Sequence, residues 1–274
     1  MPPVASAAVQ EPFFAVTDGG LVPHPAARGP WSADMLHGRL LVGLAAWAIE
    51  RDHGDPDMQP VRLTVDLYRS PAMEPATVAT ELVRDGRRVR AVDAVIHVGG
   101  VEVARASSLF LRRSDEGDVP VDDDAPRTPP FDGPGPDDLP SFDMPNGDVP
   151  FDIRSERETG FGAAGGGPRY VWMRERRPLV GDAELSPFVR AALAADFASP
   201  LANMASAGLS YINADATLYL SRPPVGEWIA VSTGDRVIGR GVSVAQCPLY
   251  DTDGPIGWSA VCAVLNPRMP RADA

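Results

Sequence analysis

Apolar residues at the spacing of an amphipathic helix mark two segments of the chain. The first begins at residues 32–34 and extends to about Arg51. The second begins at Ser186, a favourable N-cap residue placed before Pro187, and extends to Asn203. Because the apolar positions recur at i, i+3, i+4 and i+7, both segments predict a helix with one buried face.

Alternating apolar and polar positions predict four strands after each helix. Glycine-containing pairs that favour tight hairpin turns, Asp85-Gly86 and Gly99-Gly100, separate strands of the first group. Further strands are predicted before each helix. The predicted strands are Phe13–Thr17, Val61–Ser70, Ala76–Arg84, Arg87–Val98, Val101–Arg112, Phe151–Glu156, Arg169–Arg176, Ala214–Arg222, Glu227–Asp235, Gly239–Tyr250 and Pro255–Leu265.

The two halves of the chain repeat the same order of elements. The segment Leu67–Pro71 recurs as Leu218–Pro223, with Leu-Tyr pairs 151 residues apart, and this offset also aligns the two helices. Repeats of this length indicate duplicated domains, each an α+β unit in which a sheet covers a helix. An edge strand in each half favours pairing of the two sheets into one continuous sheet.

The acidity of the protein is concentrated in one segment. The net charge is −12, and residues 114–148 contain eleven acidic residues, one arginine and eight prolines. This composition predicts an acidic, proline-rich linker over residues 113–149, between domains at 12–112 and 150–268. Because the remainder is nearly neutral and has no basic stripe, nucleic-acid binding is not expected.

Several other classes of protein are disfavoured. No run of 18 apolar residues predicts a membrane span, and the first residues do not resemble a secretory signal. The two cysteines and four histidines have no metal-ligand spacing. A cytoplasmic protein without a metal or cofactor is the simplest expectation.

Asp196 interrupts the apolar face of the second helix. A buried carboxylate requires a hydrogen bond, a charged partner or a functional role, because burying it alone is costly. It can be structural, at a groove edge or bonded to a backbone amide, or it can be functional. The 151-residue offset aligns it with Ala45, so packing of an equivalent helix does not require a carboxylate there.

These features resemble the double hotdog fold, in particular acyl-CoA thioesterase II and related actinobacterial thioesterase-like proteins. The resemblance covers about residues 12–112 and 150–268, and it implies two antiparallel sheets that each wrap a long central helix. No single motif is diagnostic, but their order and spacing are fairly specific. The motifs are His37-Gly38-Arg39, where the family has His-Gly-Gly, the strand Val65–Pro71, the strand Tyr170–Arg174, and Ala194–Phe197 around the family's aspartate.

The resemblance also implies site residues. In that family a carboxylate on the second helix positions a water, with a hydroxyl residue and a glutamine. These positions correspond to Asp196, Asn213 and Cys262, so only Asp196 matches in kind. Asn213 can orient a water through its amide, whereas Cys262 cannot replace a glutamine and is interpreted as a buried structural cysteine rather than a nucleophile. Ser259 and Asn266 are the alternative candidates near the last strand, and Ser259 and Cys262 are candidate substrate-binding residues.

The implied chemistry is general-base hydrolysis of a thioester. Asp196 would hold or deprotonate water, Asn213 would help to orient it, and an apolar tunnel would hold the acyl chain. The carbonyl would face N–H groups at the start of the first helix, where Gly38 permits close approach and His37 is a candidate substrate-binding residue.

Two functions of different class remain open at this stage. The first is an acyl-CoA thioesterase acting on fatty acyl-CoA. The second is a non-catalytic hotdog protein that binds acyl-CoA or an acyl carrier, which the altered positions would allow. A hotdog hydratase is disfavoured because its Asp-x-Asn-Pro-x-His signature is absent. The resemblance further implies a homodimer or higher homo-oligomer.

Overall fold

The computed structural model describes residues 10–29, 32, 34–114, 127–141, 150–156, 170–205 and 208–266. Most of the predicted linker, residues 115–126 and 142–149, lies outside these ranges. Part of the linker that is described packs on the C-terminal half, where the Phe131 ring lies edge-on to Tyr170 and Trp172 at centroid distances of 4.9 and 5.3 Å. No helix among the residues listed above is long and apolar enough to cross a membrane.

Fourteen antiparallel strands form one continuous sheet within these ranges, and two short strands form a separate ribbon. In chain order the strands are β1 (Phe14–Thr17), β2 (Gly20–Pro23), β3 (Met58–Leu67), β4 (Ala76–Asp85), β5 (Val89–Val98), β6 (Val101–Arg112), β7 (Phe151–Arg154), β8 (Tyr170–Glu175), β9 (Met204–Ala205), β10 (Gly208–Leu209), β11 (Tyr211–Asn213), β12 (Asp215–Leu220), β13 (Ile229–Ser232), β14 (Arg236–Gly239), β15 (Val242–Asp251) and β16 (Gly254–Leu265). The sheet order is β1-β2-β4-β5-β6-β3-β12-β16-β15-β13-β8-β7, with β11 beside β16 and β14 beside β15.

The strands β3 and β12 join the two halves. Thr64 pairs with Thr217 in the ladder, and the Thr217 hydroxyl donates to the Thr64 hydroxyl at 3.2 Å. The predicted pairing of edge strands is found, and the two predicted sheets form one large sheet. Pairing satisfies backbone groups that two isolated edges would leave open. The six strands on each side of this junction follow the same order outward, so the halves are related by an approximate two-fold axis.

Three α-helices, α1 (Gly38–His53), α2 (Pro187–Ala195) and α3 (Ala198–Asn203), are found in the described part of the chain. The helices α1 and α2 pack closely, because a Cβ on Gly43 would lie only 2.5 Å from the Leu193 side chain. The helix α1 starts later than residues 32–34, which corrects the prediction. The N–H groups of Leu36 and His37 bond to the carbonyls of Pro71 and Ala27 instead, so the backbone is extended until His37 caps the helix.

The second predicted helix is two helices, which meet at Asp196 and Phe197. Its start is as expected, since the Val189 N–H donates to the Ser186 hydroxyl at 3.1 Å. The break follows from Pro200, which has no N–H to give to the Asp196 carbonyl and whose ring would clash with it in a continuous helix. That carbonyl accepts from the Ser199 N–H at 3.1 Å instead. The expected single long helix is therefore wrong in this half.

Candidate active site

Asp196 is a buried carboxylate at the junction of α2 and α3. The residue is 7% exposed, and its Oδ1 accepts a hydrogen bond from Asn213 Nδ2 at 2.8 Å. Burial raises the pKa of the Asp196 carboxyl, while the Asn213 bond and the positive charge of Arg39 act in the opposite direction. Asp196 is therefore set up as a proton acceptor of higher basicity than an ordinary aspartate.

A β-bulge turns Asn213 towards Asp196. Asn213 pairs with Ala263 of β16, but Thr217 pairs with Ala260. The segment from Asn213 to Thr217 therefore contains one residue more than the segment of β16 opposite it. The extra residue is Ala214, whose N–H donates to the Cys262 carbonyl at 2.8 Å. The bulge places Asn213 on the face of the sheet that carries the helices.

The two polar side chains each keep one oxygen available. Asn213 Nδ2 is shared between Asp196 Oδ1 and the Asp215 carbonyl, at 2.8 and 3.1 Å. Across the described ranges, neither Asp196 Oδ2 nor Asn213 Oδ1 has a hydrogen-bond partner. Neither atom is fully buried, so both can be reached by a water. The pair can therefore hold a water by accepting both of its hydrogens.

The start of α1 is connected to this pair through Leu67. A Cβ placed on Gly38 would first meet Leu67 Cδ1 at 4.0 Å, so there is room next to the helix end. Leu67 donates its N–H to the carbonyl of Ala214, directly after Asn213, at 2.7 Å. The N–H of Gly38, at the first helical position, has no intrahelical acceptor and carries the positive end of the helix dipole.

His37 is the N-cap of α1 and is not an acid at neutral pH. Its Nδ1 accepts from the Arg39 N–H at 3.4 Å. Burial and the Arg39 charge lower the pKa of the His37 imidazole to about 3. His37 therefore holds the helix start in place as a neutral ring.

Arg39 is a component of the site that the sequence reasoning missed. It is 1% exposed, forms an ion pair with Glu175 of β8, and stacks on the Phe151 ring at 4.3 Å from the centroid. Burial raises the pKa of the Glu175 carboxyl, and Arg39 opposes this. The available signal was an arginine inside the apolar stripe of the first helix, where the resembled family has glycine.

Ser259 is a support for Asp196. It is fully buried on β16, and its hydroxyl donates to the Ala195 carbonyl at 2.7 Å. This bond fixes the last turn of α2 immediately before Asp196. Because the Ser259 hydroxyl donates its hydrogen to the Ala195 carbonyl, that hydrogen is not available to a substrate.

Cys262 lies on the opposite face of β16. The residue is exposed, so the interpretation as a buried cysteine is wrong. Side chains alternate along the strand, with Val261 and Ala263 in the core and Cys262 outside. Its N–H donates to the Asp215 carboxylate, and partial burial together with that carboxylate raises the pKa of the thiol. Asn266 lies beyond the end of β16, where its N–H bonds to the Ser210 carbonyl at 2.8 Å.

The candidate site thus comprises Asp196, Asn213 and the start of α1, whereas Cys262 lies on the other face of the sheet. In the portion of the chain that is described, no group of three or more histidine, cysteine, aspartate or glutamate side chains is arranged to hold a metal ion. The arrangement offers a buried carboxylate that can accept a proton and an amide that can orient the water from which the proton comes. It also offers a helix start whose N–H groups favour negative charge.

Comparisons with known proteins agree with this architecture. The model of the acyl-CoA thioesterase N-terminal domain matches residues 27–111, and that of the C-terminal domain matches residues 122–260. Among curated proteins, none matches the sequence significantly.

Solved structures with the same fold include three bacterial proteins. A hot dog fold protein of unknown function from Alicyclobacillus acidocaldarius is 16% identical with a TM-score of 0.68, covering 93% of this chain and 96% of its own. The tesB protein of Mycobacterium avium subs paratuberculosis is 16% identical with a TM-score of 0.61, covering 90% and 93%. Acyl-CoA thioesterase II TesB2 from Mycobacterium marinum is 18% identical with a TM-score of 0.57, covering 83% and 90%. At these identities the likeness establishes the hotdog fold alone.

Proposed function

The chain belongs to the acyl-CoA thioesterase family, whose members are thioester hydrolases, and from this we propose that it hydrolyses fatty acyl-CoA at the Asp196–Asn213 pair. The observation that carries the proposal is the 2.8 Å bond from Asn213 Nδ2 to Asp196 Oδ1. It fixes a buried carboxylate while leaving one carboxylate oxygen and the amide oxygen to hold water.

The reaction begins with that water. Asp196 takes one of its protons as the water oxygen attacks the thioester carbonyl carbon. The negative charge that develops on the carbonyl oxygen is stabilised by the N–H of Gly38 at the start of α1. The tetrahedral intermediate then expels the sulfur, the carbon–sulfur bond breaks, and the proton held by Asp196 passes to the leaving thiolate. The products are a carboxylic acid and the free thiol.

An apolar acyl group fits the surroundings of the pair. The Leu67 side chain borders the open space at Gly38, and Phe197 follows Asp196 with its ring edge-on to Phe151 at 6.3 Å between centroids. These side chains favour a hydrocarbon chain over a polar acyl group.

The test is thiol release from decanoyl-CoA by the full-length protein and by Asp196→Asn. We expect the variant to lose at least about 100-fold in kcat, the lower end for removal of a general base. Asp93→Asn, an exposed acid on β5, is the matched control and should behave as wild type. Turnover that persists unchanged in Asp196→Asn would contradict the mechanism. Decanoyl-CoA binding without thiol release in the wild type would favour a binding protein instead.

A further inference from the structure

The approximate two-fold axis creates a second position equivalent to the Asp196 site. That site lies where the end of α2 and the start of α1 meet the end of β3 and the bulged start of β12. The equivalent position lies where the end of α1 and the start of α2 meet the end of β12 and the start of β3. It also contains a bulge, because one extra residue separates Pro60 and Arg62 opposite β6.

A cavity of about 370 Å³ occupies this second position. Its volume is within the range of small-molecule pockets, roughly 300–1,000 Å³. Its inner part consists of buried side chains that are apolar except for one amide, while exposed residues surround its mouth. The buried residues are Met58, Gln59, Phe110, Phe188 and Leu220, and the exposed ones include Gly54, Pro56 and Arg113.

The acids at the wall of the cavity already have partners. Glu50 accepts a hydrogen bond from the hydroxyl of Ser186, the N-cap of α2. Asp55 is paired with Arg90 at 3.3 Å. Neither carboxylate therefore requires a cationic ligand, and the start of α2 further stabilises Glu50.

Arg113 supplies a cation at the mouth of the cavity. Its Nη2 donates to the Pro56 carbonyl, and no carboxylate pairs with it in the described portion of the structure. A guanidinium beside an apolar cavity complements a ligand with a hydrocarbon chain and an anionic head.

The second position lacks the carboxylate–amide pair of the Asp196 site, because its buried amide, Gln59, donates to the Leu220 carbonyl at 3.4 Å. The residue before its bulge is Pro60, where the Asp196 site has Asn213. Proline supplies no side-chain amide to orient a water. The carboxylate is also placed differently. Aligning α1 and α2 on their N-caps, His37 and Ser186, places Asp196 level with Trp47 rather than Glu50, which also replaces the alignment with Ala45 that the 151-residue offset predicts.

We propose that this cavity is a second acyl-binding site, which holds the hydrocarbon chain of a fatty acid or fatty acyl-CoA with its anionic head at Arg113 and does not hydrolyse it. The proposal takes its ligand class from the proposed function, but it depends on different residues. A fatty acid and a fatty acyl-CoA both have a hydrocarbon chain and an anionic head. They differ in whether the anion is a carboxylate or the phosphates of coenzyme A.

The experiment measures binding of radiolabelled decanoate and of the non-hydrolysable thioether S-decyl-CoA to the full-length protein by equilibrium dialysis. Arg113→Gln should weaken binding at one class of sites about tenfold, as expected for loss of a charged hydrogen bond. It should leave 1-decanol binding unchanged, since decanol has no anionic head. Leu220→Phe, which fills the cavity, should weaken all three ligands. Arg84→Gln, an exposed arginine of β4 that does not line the cavity, is the matched control.

The outcomes separate this proposal from the proposed function. Loss confined to decanoate assigns the site to the free acid, and loss confined to S-decyl-CoA assigns it to the thioester. Wild-type binding in both Arg113→Gln and Leu220→Phe, or an equal loss in Arg84→Gln, would overturn the proposal. Asp196→Asn should abolish thiol release and retain the Arg113-dependent binding, so each proposal can fail without the other.

Discussion

Arg39 of α1 and Glu175 of β8 form an ion pair that joins the two halves of the chain in the protein interior. Their side chains are 1% and 5% exposed. The guanidinium also lies over the Phe151 ring, and its charge lowers the pKa of Asp196 against the effect of burial. One side chain therefore connects the packing of the two halves with the ionisation of the proposed base.

Removing one partner of this pair should destabilise the protein strongly. Arg39→Met leaves Glu175 buried without its cation, and we expect a loss of about 3–5 kcal/mol in the free energy of unfolding. The double variant Arg39→Met/Glu175→Gln leaves no unpaired charge and should recover part of that loss. Urea denaturation of the three proteins measures both effects. A double variant that is less stable than Arg39→Met would contradict this account.

Much of the fold was predictable because its signals are local. The periodicities gave the helices and most strands, and the repeat indicated the duplication. The break at Asp196 was also accessible, since Pro200 lies four residues after it and cannot bond to its carbonyl. The late start of α1 was not predictable in this way, because it depends on hydrogen bonds to the carbonyls of Pro71 and Ala27, which are not local in the sequence.

The site was only partly predictable. Asp196 and Asn213 are hydrogen-bonded although nothing in sequence spacing requires it, and their role in a site stays a prediction. Cys262 shows why the remainder failed. The position was taken from the glutamine of the resembled family, whereas alternation along β16, with Val261 and Ala263 in the core, places Cys262 outside.

Asn213→Leu should change the pH dependence of the reaction. The lost hydrogen bond normally lowers the pKa of Asp196, so the pKa should rise further above that of an ordinary aspartate. Because the carboxylate form is the base, the pH at which kcat/KM reaches half its maximum should move upward, and the maximum should fall. Thr217→Val, on the adjoining strand, should leave this profile in place. A pH–rate profile of Asn213→Leu that overlays the wild type would show that the bond has no role.

Ser259→Ala should reduce both stability and turnover. It leaves the Ala195 carbonyl without its buried donor, which costs about 1–3 kcal/mol, and it loosens the turn before Asp196. Ser108→Ala is a matched control, because the buried Ser108 hydroxyl donates to the Arg62 carbonyl at 2.9 Å in the other half. Both variants should lose stability, but only Ser259→Ala should lose kcat. Equal kcat values in the two would reduce Ser259 to a purely structural residue.

Cys262→Ser should retain wild-type thiol release from decanoyl-CoA. The thiol is on the outer face of the sheet, and its pKa is raised by partial burial and by Asp215, so it is a poor nucleophile at neutral pH. Cys247→Ser is the contrasting change. Cys247 is buried with a thiol pKa raised to about 11, and its replacement by a polar hydroxyl should lower stability. A large loss of kcat in Cys262→Ser would show that Cys262 contributes to turnover and would contradict its exclusion from the site.

Asp196→Asn should make the protein more stable at neutral pH while it abolishes turnover. Burial raises the pKa of Asp196 in the folded state, so the folded protein binds this proton more tightly than the unfolded chain does. The resulting stability is present below the unfolded pKa of about 3.9 and is lost as the pH rises through the folded value. Asparagine is neutral throughout and avoids that loss. The difference in urea midpoint between Asp196→Asn and wild type should therefore be small at pH 4 and larger at pH 7, and a difference that shrinks with rising pH would mean that the carboxylate stabilises the fold.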